Sequence, residues 1–307
     1  VGLADGPGGS NEAFELIGRL PLGRGLLAPG ATGLFGYASL SLAGAVRRTH
    51  QLNGLFRSKV AEPRRTFLMG TSLGALVVVE LAETQARQYD GALALCGPVG
   101  GALPEIQYIG DGRVIFDHYF PGVLPGTPFE VPADTTFLSP LEPGGPSPLF
   151  LNVVTALAAS PAATIRWASA ANLPFNDMTE LANSALAFIG FGLRYTNDFI
   201  ERVNGKLPYE NTDTTYVVDA TADPVLNAFL SGVLNANVSR FDADPSAVNY
   251  YDHNYTPSGR IGIPVVTLHT TRDPAIPIAH ETMFGAAVAG AGRSSLLTQV
   301  PIDPWGH

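Results

Sequence analysis

One pentapeptide constrains this chain more than any other feature: Gly70-Thr71-Ser72-Leu73-Gly74. It follows a short apolar run, Thr66 to Met69, and precedes a stretch rich in Ala, Leu, Val, Glu and Gln from Ala75 to Tyr89. The first run has strand length and the second has helix length and composition. A strand that turns directly into a helix leaves almost no room at the turn, so the flanking positions must be small and the middle side chain is pushed into the open. A second apolar run, Gly91 to Cys96, is closed by Gly97-Pro98. Strand, turn, helix and strand make a βαβ unit, which requires a parallel sheet covered by helices. A glycine-rich turn that merely packs a helix on a sheet would share the pentapeptide, but the flanking elements favour an exposed, chemically used Ser72.

The same pattern returns near the end of the chain. Ile263 to His269 is a near-continuous apolar strand, Ala279 to Ala289 a helix, and Ser295 to Val300 another strand that leads into a loop holding His307. A helix over about Leu40 to Ser58 is expected to bury Leu42, Val46, Leu52, Leu55 and Phe56. Between these segments the texture changes. Residues 101–148 are rich in Pro and read as loop; 149–204 turn helical, with a long apolar stretch from Asn176 to Asn204; Asp223 to Leu234 and Pro245 to Asp252 read as shorter helices. The expected organisation is a core of residues 1–100 and 255–307 interrupted by an inserted, mainly helical cap or lid at 101–254. Residues 1–35 show only fragments, a loop at Gly6 to Ser10, a helix opening near Asn11 and a strand near Leu34 to Ala38, so further residues are expected to be missing from this sequence.

Composition removes several classes. The formal net charge is −9, and the basic pairs Arg47-Arg48 and Arg64-Arg65 form no stripe, so nucleic acid is not an expected partner. Cys96 is the single cysteine, which excludes a disulfide framework within the chain and a cysteine-based zinc site. No run approaches the roughly 18 apolar residues of a membrane span. Gly97-Pro98-Val99-Gly100-Gly101 follows a strand but lacks dinucleotide-binding spacing, and neither a cofactor nor a metal is expected. Low charge, one Cys and few Lys lean towards a secreted or periplasmic protein and fit a cytoplasmic one almost as well.

A serine hydroxyl is inert at neutral pH without a base. The base is expected to be a late His, oriented by a carboxylate lying between Ser and His in the chain. Asp273, in Thr271-Arg272-Asp273-Pro274, stands just after the Ile263 strand, and His307, in Asp303-Pro304-Trp305-Gly306-His307, follows the next strand. Both fall at the sheet edge to which Ser72 belongs. His269 lies within the strand and reads as a packed residue with a satisfied ring; His280 reads as a capping or surface residue, His50 as mid-helix. His118 and His253 fall in the cap region. Asp219 and Asp223 are alternative acids, and Asp303 sits too near His307 in sequence. The N–H of Leu73 is the expected first oxyanion donor, with Gly8 and Gly9 of the Gly6-Pro7-Gly8-Gly9-Ser10 loop as candidates for the second.

These residues resemble the α/β-hydrolase superfamily over roughly 36–100 and 258–307. Tyr255-Thr256-Pro257-Ser258-Gly259-Arg260 with the strand and the Asp273 loop after it is similar to bacterial esterase or peptidase-like members. The glycine loop is similar to that of the proline-iminopeptidase-like branch, but has Ala4-Asp5 where His-Gly is usual. The resemblance implies a mostly parallel sheet flanked by helices, Ser72 as nucleophile, Asp273 as acid, His307 as base, no cofactor, and a small-molecule or polymeric ester as substrate. An amidase, aminopeptidase or acyltransferase of the same fold is the alternative, and a non-catalytic binding protein a more distant one. Aromatic residues between 150 and 199 (Phe150, Trp167, Phe175, Phe188, Phe191, Tyr195, Phe199) suggest an apolar or aromatic moiety in the substrate. Nothing in the sequence fixes an oligomeric state.

Overall fold

A computed structural model describes residues 2–4 and 42–307. The chain forms two compact units, one of Val1–Ala102, Tyr251–Trp305 and His307, the other of Leu103–Tyr250 and Gly306.

The first unit is built on a parallel sheet. Its strands are β1 (Gly2–Ala4), β2 (Phe67–Thr71), β3 (Gly91–Leu95), β4 (Val265–Arg272) and β5 (Leu297–Trp305), lying side by side in that order. All neighbouring pairs are parallel, with Met69 opposite Leu93, Leu93 opposite Val266 and Val266 opposite Thr298. Strand β1 was not anticipated: three residues are too few to show a period, and pairing with Leu68, Met69 and Gly70 is what makes Gly2–Ala4 a strand.

Helix α1 (Leu42–Lys59) precedes β2, and α2 (Leu73–Thr84) follows it. Helix α2 is apolar on nearly every side: Ala75, Val77, Val78, Val79 and Leu81 are fully buried. It packs on β1, β2 and β3 and against α1, so both faces are covered. Helix α1 buries Leu42, Ala45, Thr49 and Asn53, whereas Leu55 is exposed. The expected apolar face is therefore rotated. Of the expected residues only Leu42 is buried; Ala45, Thr49 and Asn53, each three or four residues further on, complete the buried face.

The second unit contains α3 (Ala102–Tyr119), α4 (Pro148–Ala159), α5 (Pro161–Ala170), α6 (Met178–Glu201), α7 (Pro224–Asn237) and α8 (Pro245–Tyr255), the last closing in the first unit. Helix α3 corrects the expectation of loop over all of 101–148. Pro104 sits in its first turn, where a missing N–H costs little. The stretch from Asn176 is one 24-residue helix, capped by Asp177, whose carboxylate accepts from the N–H groups of Thr179 and Glu180. Trp167 is fully buried; its indole N–H donates to the Gly112 carbonyl at 2.8 Å, and its ring meets Phe116 and Phe188 edge-on. Phe150, Tyr195 and Phe199 are buried as well. These aromatics form much of the core of this unit. Among the described residues no single helix is long and apolar enough to cross a membrane.

Candidate active site

Ser72 is the residue between β2 and α2, with φ 53° and ψ −128°. A non-glycine residue at positive φ is strained and is held there by its surroundings. Here the surroundings are specific. The Ser72 N–H donates to Leu95 O at 2.9 Å, extending the β2–β3 pairing up to the turn. A Cβ on Gly70 would lie 2.0 Å from the Gly74 carbonyl oxygen, and one on Gly97 would strike the Ala75 side chain at 2.1 Å. Only glycine lets the strand end and the helix start approach this closely. The Ser72 side chain makes no capping bond to α2. Leu73 opens α2, so its N–H precedes the intrahelical acceptors and lies at the positive end of the helix dipole.

Because all strands are parallel, their carboxyl ends share one edge of the sheet. Ser72 follows β2, Cys96 follows β3, Asp273 follows β4 and His307 lies just beyond β5. The pairing of β4 with β5 is regular up to Thr270 opposite Ile302, then shifts so that Arg272 faces Trp305. Such an irregularity bends the strand end and redirects the residues after it. Arg272 pairs with the exposed Asp303, tying the two strand ends together one residue before Asp273. Asp303 is thereby committed to Arg272 and not to His307.

Asp273 is fully buried. Its Oδ1 accepts the N–H groups of Ala275 and Ile276 at 2.8 and 2.9 Å, and its Oδ2 stands 2.7 Å from His307 Nδ1. Burial pushes this carboxyl up, but hydrogen bonds from His269, His307 and the Ile276 backbone outweigh it and leave it below its ordinary value. With Asp273 ionised, Nδ1 of His307 carries the proton and Nε2 is the free lone pair. The His307 side chain is 31% exposed, open enough to exchange a proton with an incoming molecule.

The other candidates find different uses. Asp223 caps α7 through the N–H groups of Val225 and Leu226. Asp219 accepts from the Asn227 side chain. His50 faces the Tyr89 hydroxyl, and His253 is exposed on α8. His280, expected at the surface, is instead buried in α9 (Ala279–Gly290), where its Nδ1 accepts the Gly100 N–H at 3.1 Å. Gly8 and Gly9 lie outside the described residues. What the sequence reading missed is the setting of His269: its ring is buried, and carboxylates stand on both sides of it. Glu281, in the first turn of α9, gave no sequence signal that it would reach this ring.

A parallel sheet flanked by helices, with a strained serine at the turn from an inner strand into a buried helix, and an Asp and a His in the loops after later strands, is an α/β-hydrolase fold. Solved structures similar to the chain include a monoacylglycerol lipase of Paleococcus ferrophilus, at 15% identity and a TM-score of 0.42, covering 100% of this chain and 84% of that one. An esterase from Aspergillus oryzae matches at 15% identity and a TM-score of 0.44, over 100% of this chain and 67% of that chain. A rice cell wall degrading esterase from Xanthomonas oryzae matches at 13% identity and a TM-score of 0.39, over 99% and 74% of the two chains. No protein-family profile and no curated protein matches the sequence.

Proposed function

We propose that this protein is a serine hydrolase that cleaves a carboxylic ester through an acyl-enzyme. The observation that carries the reading is the buried Asp273 carboxylate, 2.7 Å from His307 Nδ1, on the sheet edge where Ser72 is held at φ 53°. In this reading Nε2 of His307 removes the Ser72 proton as Oγ attacks the ester carbonyl carbon. The Leu73 N–H, with a second backbone donor, stabilises the oxyanion. His307 then gives its proton to the departing alkoxide, and water, activated by the same imidazole, releases the acid. Asp273 holds the ring in the tautomer this requires and stabilises its charged form.

An ester is favoured over an amide on chemical grounds: an alkoxide leaves more readily than an amine and asks less of the general acid. Residues 101–254 are proposed to act as an inserted cap or lid, and the chain to work outside the cytoplasm. A fluorophosphonate probe tests the core of the reading. The wild type should be labelled on Ser72 and hydrolyse a p-nitrophenyl ester, and Ser72→Ala should lose both while unfolding at a similar denaturant concentration. Turnover retained by Ser72→Ala removes Ser72 from the role. Faster cleavage of an aminoacyl-anilide than of the ester reassigns the substrate class to amides.

A further inference from the structure

The Asp273 carboxylate has a second imidazole beside it. His269 is fully buried in β4, and its Nε2 lies 3.5 Å from Asp273 Oδ2, the oxygen that also faces His307. The same nitrogen is 2.9 Å from the Ile276 carbonyl oxygen, an acceptor, so Nε2 carries a proton. On the far side of the ring, Nδ1 stands 3.4 Å from Glu281 Oε1, an ion-pair distance that is long for a hydrogen bond. Glu281 comes from α9, and its other oxygen is held by the Thr267 hydroxyl and by the Gln299 amide, the latter at 2.7 Å. Thr267 is on β4 and Gln299 on β5, so three elements lock this carboxylate in place. The result is a row that runs from the buried Glu281, His269 and Asp273 to the more exposed His307.

A buried imidazole with one carboxylate on each side is held in its charged form by both. Burial alone would lower its proton affinity, but the bonds to Asp273, Glu281 and the Ile276 carbonyl outweigh that, and His269 is raised to about 9. Glu281 moves the opposite way: burial pushes it up, and His269, Thr267 and Gln299 bring it below its ordinary value. Of the other groups near the row, Arg272 pairs with Asp303, His280 accepts the Gly100 N–H, and Cys96, at the end of β3, has a thiol pushed up by burial and by the charges of Asp273 and Glu281. That thiol is neutral at the pH in question.

We propose that His269 is a positioning residue for the triad carboxylate: an imidazolium clamped between Asp273 and Glu281, it fixes Asp273 against His307, and through its charge it sets the acid side of the pH range in which the site works. This rests on the reading of Ser72, His307 and Asp273 as the catalytic set. A positive charge behind Asp273 offsets part of the carboxylate's pull on the His307 proton. Remove it, and His307 keeps that proton to higher pH.

The test is the rate of fluorophosphonate labelling against pH for wild type, Glu281→Gln and His269→Gln. Glu281→Gln keeps the shape and removes the counter-charge; His269→Gln removes the cation. His269→Gln, which leaves the Glu281 charge in place, should move the acidic limb of the profile up by about one unit, a loss of about tenfold near pH 6, with rates converging on the wild type near pH 9, whereas Glu281→Gln, which removes a negative charge, should not move it up. A His269→Gln profile that does not move, or a loss that is uniform across pH, overturns the proposal and leaves the hydrolase reading standing. No labelling of the wild type overturns both. A measurement on the wild type alone covers variants that fail to fold: in 15N-histidine spectra of the intact chain, one buried imidazole should stay protonated through neutral pH and lose its proton near about 9. A neutral His269 ring at pH 7 overturns the proposal.

Discussion

At the residue scale, function and stability oppose each other most clearly at Ser72. Its φ of 53° is a conformation glycine adopts freely and serine does not. Strain of this kind costs on the order of 1–3 kcal/mol and persists only because the Gly70–Gly74 contact and the Leu95 hydrogen bond impose it. Ser72→Gly should therefore raise stability by about 1 kcal/mol in denaturant unfolding, after allowing for the greater freedom of glycine in the unfolded chain, while abolishing probe labelling. A destabilised Ser72→Gly would mean that the hydroxyl holds the turn together. The strain itself was readable from Gly-x-Ser-x-Gly between an apolar run and a helical one, because each requirement is local. His269 was not readable in the same way. A histidine inside an apolar strand looks the same in sequence whether its neighbours are methyl groups or carboxylates.

At the element scale, a helix end explains Asp223, an alternative triad acid. Asp223 and Asp177 each lie one residue before a helix and accept its first N–H groups, which is sufficient reason for a carboxylate at those positions. Asp223→Ala should cost about 1 kcal/mol in unfolding free energy and leave the labelling rate unchanged. A labelling loss would return Asp223 to consideration as a functional acid. The long elements were largely legible, since α6, α7, α8 and α9 lie within a few residues of the expected helical runs, and α2 follows the strand-to-helix turn as expected but ends at Thr84. The misses have physical causes. Helix α3 was hidden by Pro104, which the first turn tolerates. Strand β1 is too short to carry a pattern and exists through its partner. The buried face of α1 is Leu42, Ala45, Thr49 and Asn53, two of them polar, so apolar spacing alone pointed to a neighbouring face.

At the scale of the whole molecule, the buried charges predict how stability depends on pH. His269 holds its proton more tightly folded than unfolded, so its contribution is fully present below its ordinary value near 6.5 and is lost as pH rises through about 9. Asp273 and Glu281 lie below their ordinary values, so their contribution is present above about pH 4–5 and is lost as pH falls. Stability of the intact chain should thus be greatest near pH 5 to 6.5 and fall by about 2–3 kcal/mol towards pH 9, as measured by urea unfolding at fixed ionic strength. In His269→Gln the alkaline part of that fall should be absent. A wild type as stable at pH 9 as at pH 6 would show that no buried imidazolium is present.

The sequence by itself determined what short-range physics governs: a serine at a strand-to-helix turn, an Asp and a His just after later strands, and the run of helices between. Turn sterics, helical period and strand length act over a few residues and leave a mark in the order of amino acids. Tertiary structure alone decided that Asp273 serves two imidazoles, that Glu281 balances the second, and that the aromatics between 150 and 199 are spent largely on a core. Those outcomes depend on which elements lie side by side. Charge pairing and desolvation act through space, between β4, β5 and α9, and no local pattern records them.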